Sequence, residues 1–289
     1  MTIDDLLNKV LESTSPLISA EQLVDLLSNP RVKVFDVRGT WASPPRALPE
    51  EYHAEHIDGA AFLDWVTTFN EPNIPIGQAS IIDEVGATIA FERLGINADD
   101  LVVVYDDYSH MPAGRIWISM RHWGFKNVRV LNGGLGYWKS QGYPTSQEVP
   151  QLAKGNFKPA LIEGLKIDID EFLERQLHSR VIDGRGPVGY AGNADDPRSG
   201  HIPESINVPF SVLLDPDTGL FLDAERLSNA LVERAPDWKE ASIITSCGAG
   251  YSATVVSIAL EILGKPATLF DGSFAIWRSD PNRAVDQSY

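Results

Sequence analysis

The chain has almost no cysteine. One thiol, Cys247, stands among 289 residues. That excludes an intramolecular disulfide, a Cys-x-x-Cys redox pair and a multi-cysteine metal site. It also excludes a second thiol of the same chain that could resolve a modified Cys247, so any group Cys247 acquires must leave to another molecule. Basic charge is scarce as well: 24 Lys and Arg face 40 Asp and Glu, for a formal net charge of −16. Such a field repels nucleic acid and anionic membranes, and an anionic ligand would have to be attracted by local groups. No apolar run is long enough to cross a bilayer. The N-terminus, Met-Thr-Ile-Asp-Asp-Leu-Leu-Asn-Lys-Val, lacks the basic start and apolar core of a signal peptide. The expectation is a cytoplasmic protein that binds neither nucleic acid nor membrane.

What is present is a chain written twice. Ser19 and Gln22 stand in capping-box positions before a helical pattern, which leads to Val32-Lys-Val-Phe-Asp-Val-Arg38, a strand ending in Asp-x-Arg. Asp168 and Glu171 stand in the same roles before Val181-Ile-Asp-Gly-Arg185. In the same order, Glu55-His-Ile-Asp-Gly-Ala60 matches Gly200-His-Ile-Pro-Glu-Ser205, and Leu101-Val-Val-Val-Tyr-Asp106 matches the run from Ala241 to Cys247. Val130-Leu-Asn-Gly-Gly-Leu-Gly-Tyr-Trp138 matches Leu269-Phe-Asp-Gly-Ser-Phe-Ala-Ile-Trp277. The repeat is far longer than a solenoid unit and predicts two similar domains. Each alternates helical patterns with short apolar strands, the pattern of an α/β domain with a mostly parallel sheet flanked by helices. The expected limits are 16–142 for the first domain, 143–165 for a Pro-, Gly-, Gln- and Ser-rich linker, and 166–289 for the second.

The lone thiol lies in the most informative stretch, residues 242–256. An apolar β-prone run leads into Cys247, Gly248 and Gly250 follow, and a helix-compatible run continues through Ile262. A loop between strand and helix gathers backbone N–H groups and the positive end of a helix dipole, which favour an anion such as a thiolate. The competing reading of Cys247 is a small buried hydrophobe, and that of the two glycines an ordinary turn.

Together, the Asp-x-Arg strand ends, the Gly-His-Ile-Pro segment, the strand-Cys-Gly-x-Gly loop and the Asp-Gly-Ser-x-x-x-Trp ending resemble the two-domain rhodanese family of sulfurtransferases, over nearly the whole chain. The resemblance implies two tandem rhodanese-like domains, the first non-catalytic and the second catalytic. Asp106 stands in the first half where Cys247 stands in the second. It also implies that Cys247 takes a sulfane sulfur from a small anionic donor, thiosulfate or 3-mercaptopyruvate. The persulfide formed would pass its sulfur to cyanide, a thiol or a protein acceptor. Donor binding would fall to the loop residues Gly248, Ala249, Gly250, Tyr251, Ser252 and Ala253 and to Arg198. Tyr251 would be a pocket wall, and Ser252 would either bond the sulfur or cap the helix. No cofactor and no metal is implied.

Against the family pattern, Gly248 and Ala249 are neutral where thiosulfate-specific members carry basic residues, which slightly favours 3-mercaptopyruvate. Ala249 stands where that branch has Ser or Thr. Val66 and Asn73 stand where it has Asp and His in the first domain, and Gly189 replaces a second donor-binding arginine. The alternative for Arg198 is a solvated charge balancing Asp195 and Asp196. Arg38, Arg185, His56 and His201 recur in both halves and are read as structural, and the cluster of His53, His56, Glu50, Glu51 and Glu55 is read as surface. The resemblance places the donor cleft between the halves, so Tyr108 and His110 are candidates to line it, with packing as the alternative. A cysteine phosphatase would need an arginine six residues after the cysteine, and Ala253 stands there. A Cys-His hydrolase has no motif in its support. The alternative to an enzyme is a persulfide carrier or redox-sensing module that works with a partner protein.

Overall fold

The computed structural model describes residues 2–40, 45–75 and 78–288. Residues 41–44, 76–77 and 289, which fall within the two halves delimited above, and Met1 lie outside the described residues. The chain divides into two compact units. Unit 1 comprises Met1–Asn73, Ile81–Ile162 and Asp217–Leu220, and unit 2 comprises Ile74–Ser80, Glu163–Pro216 and Phe221–Tyr289. Residues 143–162, expected as linker, group with unit 1. Thr145–Ser146 pairs antiparallel with His56–Ile57. The N–H groups of Asn156 and Phe157 donate to the Ile96 carbonyl at 3.1 and 3.0 Å, and the Phe157 ring meets Phe91 edge-on at 4.7 Å.

Unit 1 carries the strands β1 (Leu17–Ile18), β2 (Val32–Asp36), β3 (Ala61–Phe62), β4 (Leu101–Tyr105) and β5 (Val128–Leu131). Its helices are α1 (Ile3–Glu12), α2 (Ala20–Leu26), α3 (Pro49–Ala54), α4 (Glu84–Arg93), α5 (Met111–His122) and α6 (Gly134–Ser140). Unit 2 carries β6 (Lys166–Ile167), β7 (Arg180–Asp183), β8 (Ile206–Asn207), β9 (Ile243–Ser246) and β10 (Thr268–Phe270). Its helices are α7 (Ile169–Arg175), α8 (Pro187–Ala191), α9 (Ala224–Arg234), α10 (Ser252–Ile262) and α11 (Ser273–Ser279). The sheets are ordered β1-β5-β4-β2-β3 and β6-β10-β9-β7-β8, one pattern used twice. Every pairing within them is parallel.

The central strands show why. All five residues of β4 and all four of β9 are buried, as expected for parallel strands covered on both faces. Helix starts follow local chemistry. Ser19 and Gln22 form a reciprocal capping box before α2, and the Asp168 and Glu171 pair bonds in the same way at α7, at 3.0 and 3.3 Å. The buried core includes Leu23, Leu26, Val103 and Trp138 in unit 1, and Phe172, Phe270 and Trp277 in unit 2. Phe172 stacks on Phe270 at 4.1 Å. The repeated tryptophans act alike: Trp138 Nε1 donates to the Pro144 carbonyl at 3.0 Å and Trp277 Nε1 to the Ala284 carbonyl at 2.8 Å.

The Asp-x-Arg motifs close the C-terminal ends of β2 and β7. Asp36 is fully buried and Arg38 nearly so. Asp36 accepts from Arg38 Nε at 2.9 Å and from the Tyr105 hydroxyl at 2.8 Å. Arg38 Nη2 continues to the Glu55 carbonyl. Burial alone would pull the Arg38 guanidinium down, but the bonds and charge of Asp36 outweigh it and hold it above its ordinary value. Asp183 and Arg185 repeat the arrangement, with Arg185 reaching the Gly189 and Gly200 carbonyls at 2.9 and 2.8 Å. His56 and His201 stack on Tyr52 and Tyr190 at 4.1 and 3.8 Å, and both ring nitrogens of His56 face carbonyls. Asp36→Asn leaves the buried Arg38 charge with the exposed Glu51 carboxylate at 3.9 Å in place of its close partner. Equilibrium urea unfolding of that variant should show a loss of about 3–5 kcal/mol, and a loss below about 1 kcal/mol would mean that water reaches the pair.

Candidate active site

Strand β9 delivers Cys247 into a loop, Cys247 to Tyr251, that ends where α10 begins. Cys247 is 2 % exposed. Its Sγ accepts the Gly250 N–H at 3.1 Å and the Tyr251 N–H at 3.2 Å. Gly250 has φ +88°, and this left-handed turn, which glycine adopts without steric cost, swings successive N–H groups toward one point. Two donors aimed at one sulfur stabilise negative charge on it.

A second set of bonds holds the backbone of Cys247. The Cys247 N–H donates to Ser273 Oγ at 3.1 Å. The Cys247 carbonyl accepts from the Phe274 N–H at 3.0 Å, and the Gly248 carbonyl accepts from the Ala275 N–H at 2.8 Å. Ser273, Phe274 and Ala275 open α11. Arg185 lies against the Phe274 ring at 4.4 Å, and a Cβ built on Gly248 would stand 3.9 Å from Arg185 Cδ. That arginine is paired with Asp183, at 2.6 Å.

Unit 1 repeats the loop with a carboxyl in place of the thiol. Asp106 follows β4, is 1 % exposed, and accepts the N–H groups of Tyr108, His110 and Ala113 at 2.9, 3.0 and 2.9 Å. Ser109, three residues after Asp106, is left-handed at φ +56°, as Gly250 is three residues after Cys247. Burial pushes the Asp106 carboxyl up, against the pull of His110 and of these N–H groups. His110 Nε2 lies 2.9 Å from the Gly219 carbonyl, so that nitrogen carries a proton. His110 is 2 % exposed and its ring tethers 217–220 to the loop, whereas Tyr108 is 41 % exposed.

A family model described as "Rhodanese-like domain" matches residues 19–141 and 168–280. The chain belongs to the rhodanese family of sulfurtransferases. It is similar to the 3-mercaptopyruvate sulfurtransferase of Escherichia coli K12, 29% identical over 284 residues, covering 95% of this chain and 99% of that one. It is similar also to the thiosulfate sulfurtransferase of Rattus norvegicus, 32% identical over 303 residues, covering 99% and 98%. The crystal structure of SseA from Escherichia coli superposes with a TM-score of 0.80 at 27% identity, covering 90% of this chain and 98% of SseA. Each rhodanese domain matched by the family model contains one of the two loops described here.

Within the second rhodanese domain, Cys247, Gly248, Ala249, Gly250, Tyr251, Ser252 and Ala253 form one continuous loop and helix start. Of their N–H groups, those of Gly250 and Tyr251 reach Sγ at hydrogen-bonding distance. Ser252 does not cap α10: it is the first residue inside the helix, the cap position is Tyr251, and no side-chain cap bond forms there. Arg198 donates to the Arg283, Arg278 and Asp280 carbonyls at 2.6, 2.9 and 2.8 Å, which ties its guanidinium to the end of α11 and the chain after it and uses three of its five N–H groups. Val66 belongs to a turn capped by Asp64, whose carboxylate accepts its N–H at 2.9 Å, and Asn73 is exposed with φ +64°. Sequence reasoning missed Ser273. Its signal was in the repeat itself, where Asp-Gly-Ser-Phe stands against Asn-Gly-Gly-Leu.

Beside Asp106, the Asp107 carboxyl is pushed up to about 6, first by partial burial and then by the Asp106 charge, although part of the residue faces solvent. Folding therefore favours its protonated form. Its contribution to stability is complete below the ordinary carboxylate range and is lost as pH rises through about 6. Asp107→Asn should raise Tm above wild type by about 1–3 °C at about pH 8 and leave it unchanged at about pH 4. Equal Tm values at both would show that the crowding is relieved by solvent.

Proposed function

We propose that the chain transfers a sulfane sulfur through a persulfide on Cys247, with 3-mercaptopyruvate preferred to thiosulfate as donor. The observation that carries the reading is the pair of loop N–H groups on Sγ. They suit a sulfur that carries negative charge before the donor arrives and after it leaves. The thiolate attacks the sulfur of 3-mercaptopyruvate. A S–S bond forms, the C–S bond breaks, and its electron pair leaves as the pyruvate enolate. The proton of the donor's own thiol goes to that enolate, so pyruvate and a Cys247 persulfide anion result. With thiosulfate, the same attack on the outer sulfur expels sulfite. An external thiolate, cyanide or a protein acceptor then takes the outer sulfur and returns Cys247 to the thiolate.

Donor preference follows from charge. Residues 248–253 are all neutral, and Arg185 and Arg198 are engaged by Asp183 and by backbone carbonyls. A dianion such as thiosulfate loses more hydration than a monocarboxylate on entering a site that offers N–H groups alone.

Thiocyanate formation with cyanide as acceptor should be at least about tenfold more efficient (kcat/KM) with 3-mercaptopyruvate than with thiosulfate, a difference of about 1.4 kcal/mol at the transition state. Cys247→Ser should abolish both activities while the circular dichroism spectrum stays that of wild type. Activity surviving in that variant ends the Cys247 mechanism, and a thiosulfate preference ends the charge argument. A folded wild type that loads sulfur once and then stalls without a partner protein would instead be a carrier.

A further inference from the structure

We infer that Ser273 is a positioning residue for Cys247: its hydroxyl holds the nucleophile's backbone N–H and so fixes the direction from which Sγ meets its donors. The inference rests on Cys247 as nucleophile and adds the group that aims it.

Ser273 is fully buried. Its hydroxyl donates its single proton to the Phe270 carbonyl at 2.9 Å and accepts the Cys247 N–H at 3.1 Å. With the proton committed to Phe270, the lone pairs are turned toward Cys247, so the hydroxyl acts as a fixed acceptor and not a free rotor. The Cys247 carbonyl is held by Phe274 and the Gly248 carbonyl by Ala275. The peptides on both sides of the Cys247 Cα are thus anchored. The remaining freedom of the side chain is rotation about Cα–Cβ, and the observed setting puts Sγ between the Gly250 and Tyr251 N–H groups.

The backbone of Ser273 makes the case specific. It has φ +51°, a left-handed conformation that serine seldom adopts. The matching residue of the first half is Gly134, with φ +57°, where an added Cβ would lie 2.2 Å from the Asp106 carbonyl oxygen. Both halves retain the next bond, Leu135 N–H to the Asp106 carbonyl and Phe274 N–H to the Cys247 carbonyl, each 3.0 Å. Helix docking therefore succeeds with glycine. In the half that carries the thiol, a strained residue with a side chain stands instead. Its Cβ excludes the close carbonyl approach seen in unit 1, and its hydroxyl takes the N–H. Ser109 in the first half is left-handed as well, so the argument for Ser273 rests on its hydroxyl bond to the Cys247 N–H together with the strain, which points to function where glycine serves the other half.

The test uses Ser273→Gly, which removes the hydroxyl together with the conformational penalty, and Ser273→Ala, which removes the hydroxyl and keeps Cβ. Sulfur loading onto Cys247 is followed in a single turnover, by the mass gained, with thiosulfate and with 3-mercaptopyruvate. Both variants should load at least about tenfold more slowly at saturating donor, with the donor concentration for half-maximal rate within about twofold of wild type. Ser273→Gly should do so without a lower Tm. Wild-type loading rates in Ser273→Gly, or a loss confined to the donor concentration dependence, would overturn the inference, as would a loss only in Ser273→Ala that tracks a lower Tm. Wild type that fails to load at all would overturn the Cys247 reading itself, an outcome separable from failure of the Ser273 role alone.

Discussion

In both halves of this chain, N–H groups from the turn before a helix or from its start converge on one side-chain acceptor, and the fold is arranged around that focus. In each, a buried strand ends in a side chain placed at the focus of a turn that opens into a helix. In unit 1 the acceptor is the Asp106 carboxyl, and in unit 2 it is the Cys247 sulfur. The surrounding architecture serves that focus. Parallel pairing with β2 and β7 aligns the strand end, a left-handed residue turns the N–H groups inward, and a second helix grips the carbonyl of the focal residue. Remove the acceptor and buried donors are left unpaired; keep it and its chemistry is free to differ.

That freedom lets one scaffold hold a carboxyl in one half and a thiol in the other. Asp106 bonds three N–H groups and is complete in itself. Cys247 offers a single soft atom with two donors on one side. Arg185, beside the loop at Gly248, is bound to Asp183 and lies against the Phe274 ring, and the bonds that reach Sγ come from amides. For an enzyme that must hold an anion briefly and then release it, amide donors give stabilisation without a partner that would keep the product.

Much of this could be read from the sequence because its causes are local. The capping boxes at Ser19 and Asp168, the apolar runs of β4 and β9 and the glycine turn after Cys247 each depend on residues a few positions apart, and the repeat doubles every signal. Distant partners could not be read. Arg198 finds carbonyls some 80 positions later in the chain, and nothing near it in sequence separates that role from a donor clamp. The 143–162 segment lacks periodicity because it is held by backbone bonds to unit 1 and by a few side chains such as Phe157. Ser273 sits 26 residues beyond the N–H it accepts; only comparison of the halves singles it out.

The carboxyl of Asp106 is in effect a ligand attached to its own receptor. It gives up no translational freedom on binding, and its effective concentration at the loop exceeds what any dissolved anion can reach. The first loop is therefore occupied in every molecule whatever the composition of the surroundings, and its filling is a unimolecular matter settled when the domain folds. In the chemistry proposed above, the second loop holds an atom that gains a partner from solution and loses it again, so its state follows the supply of donor and acceptor.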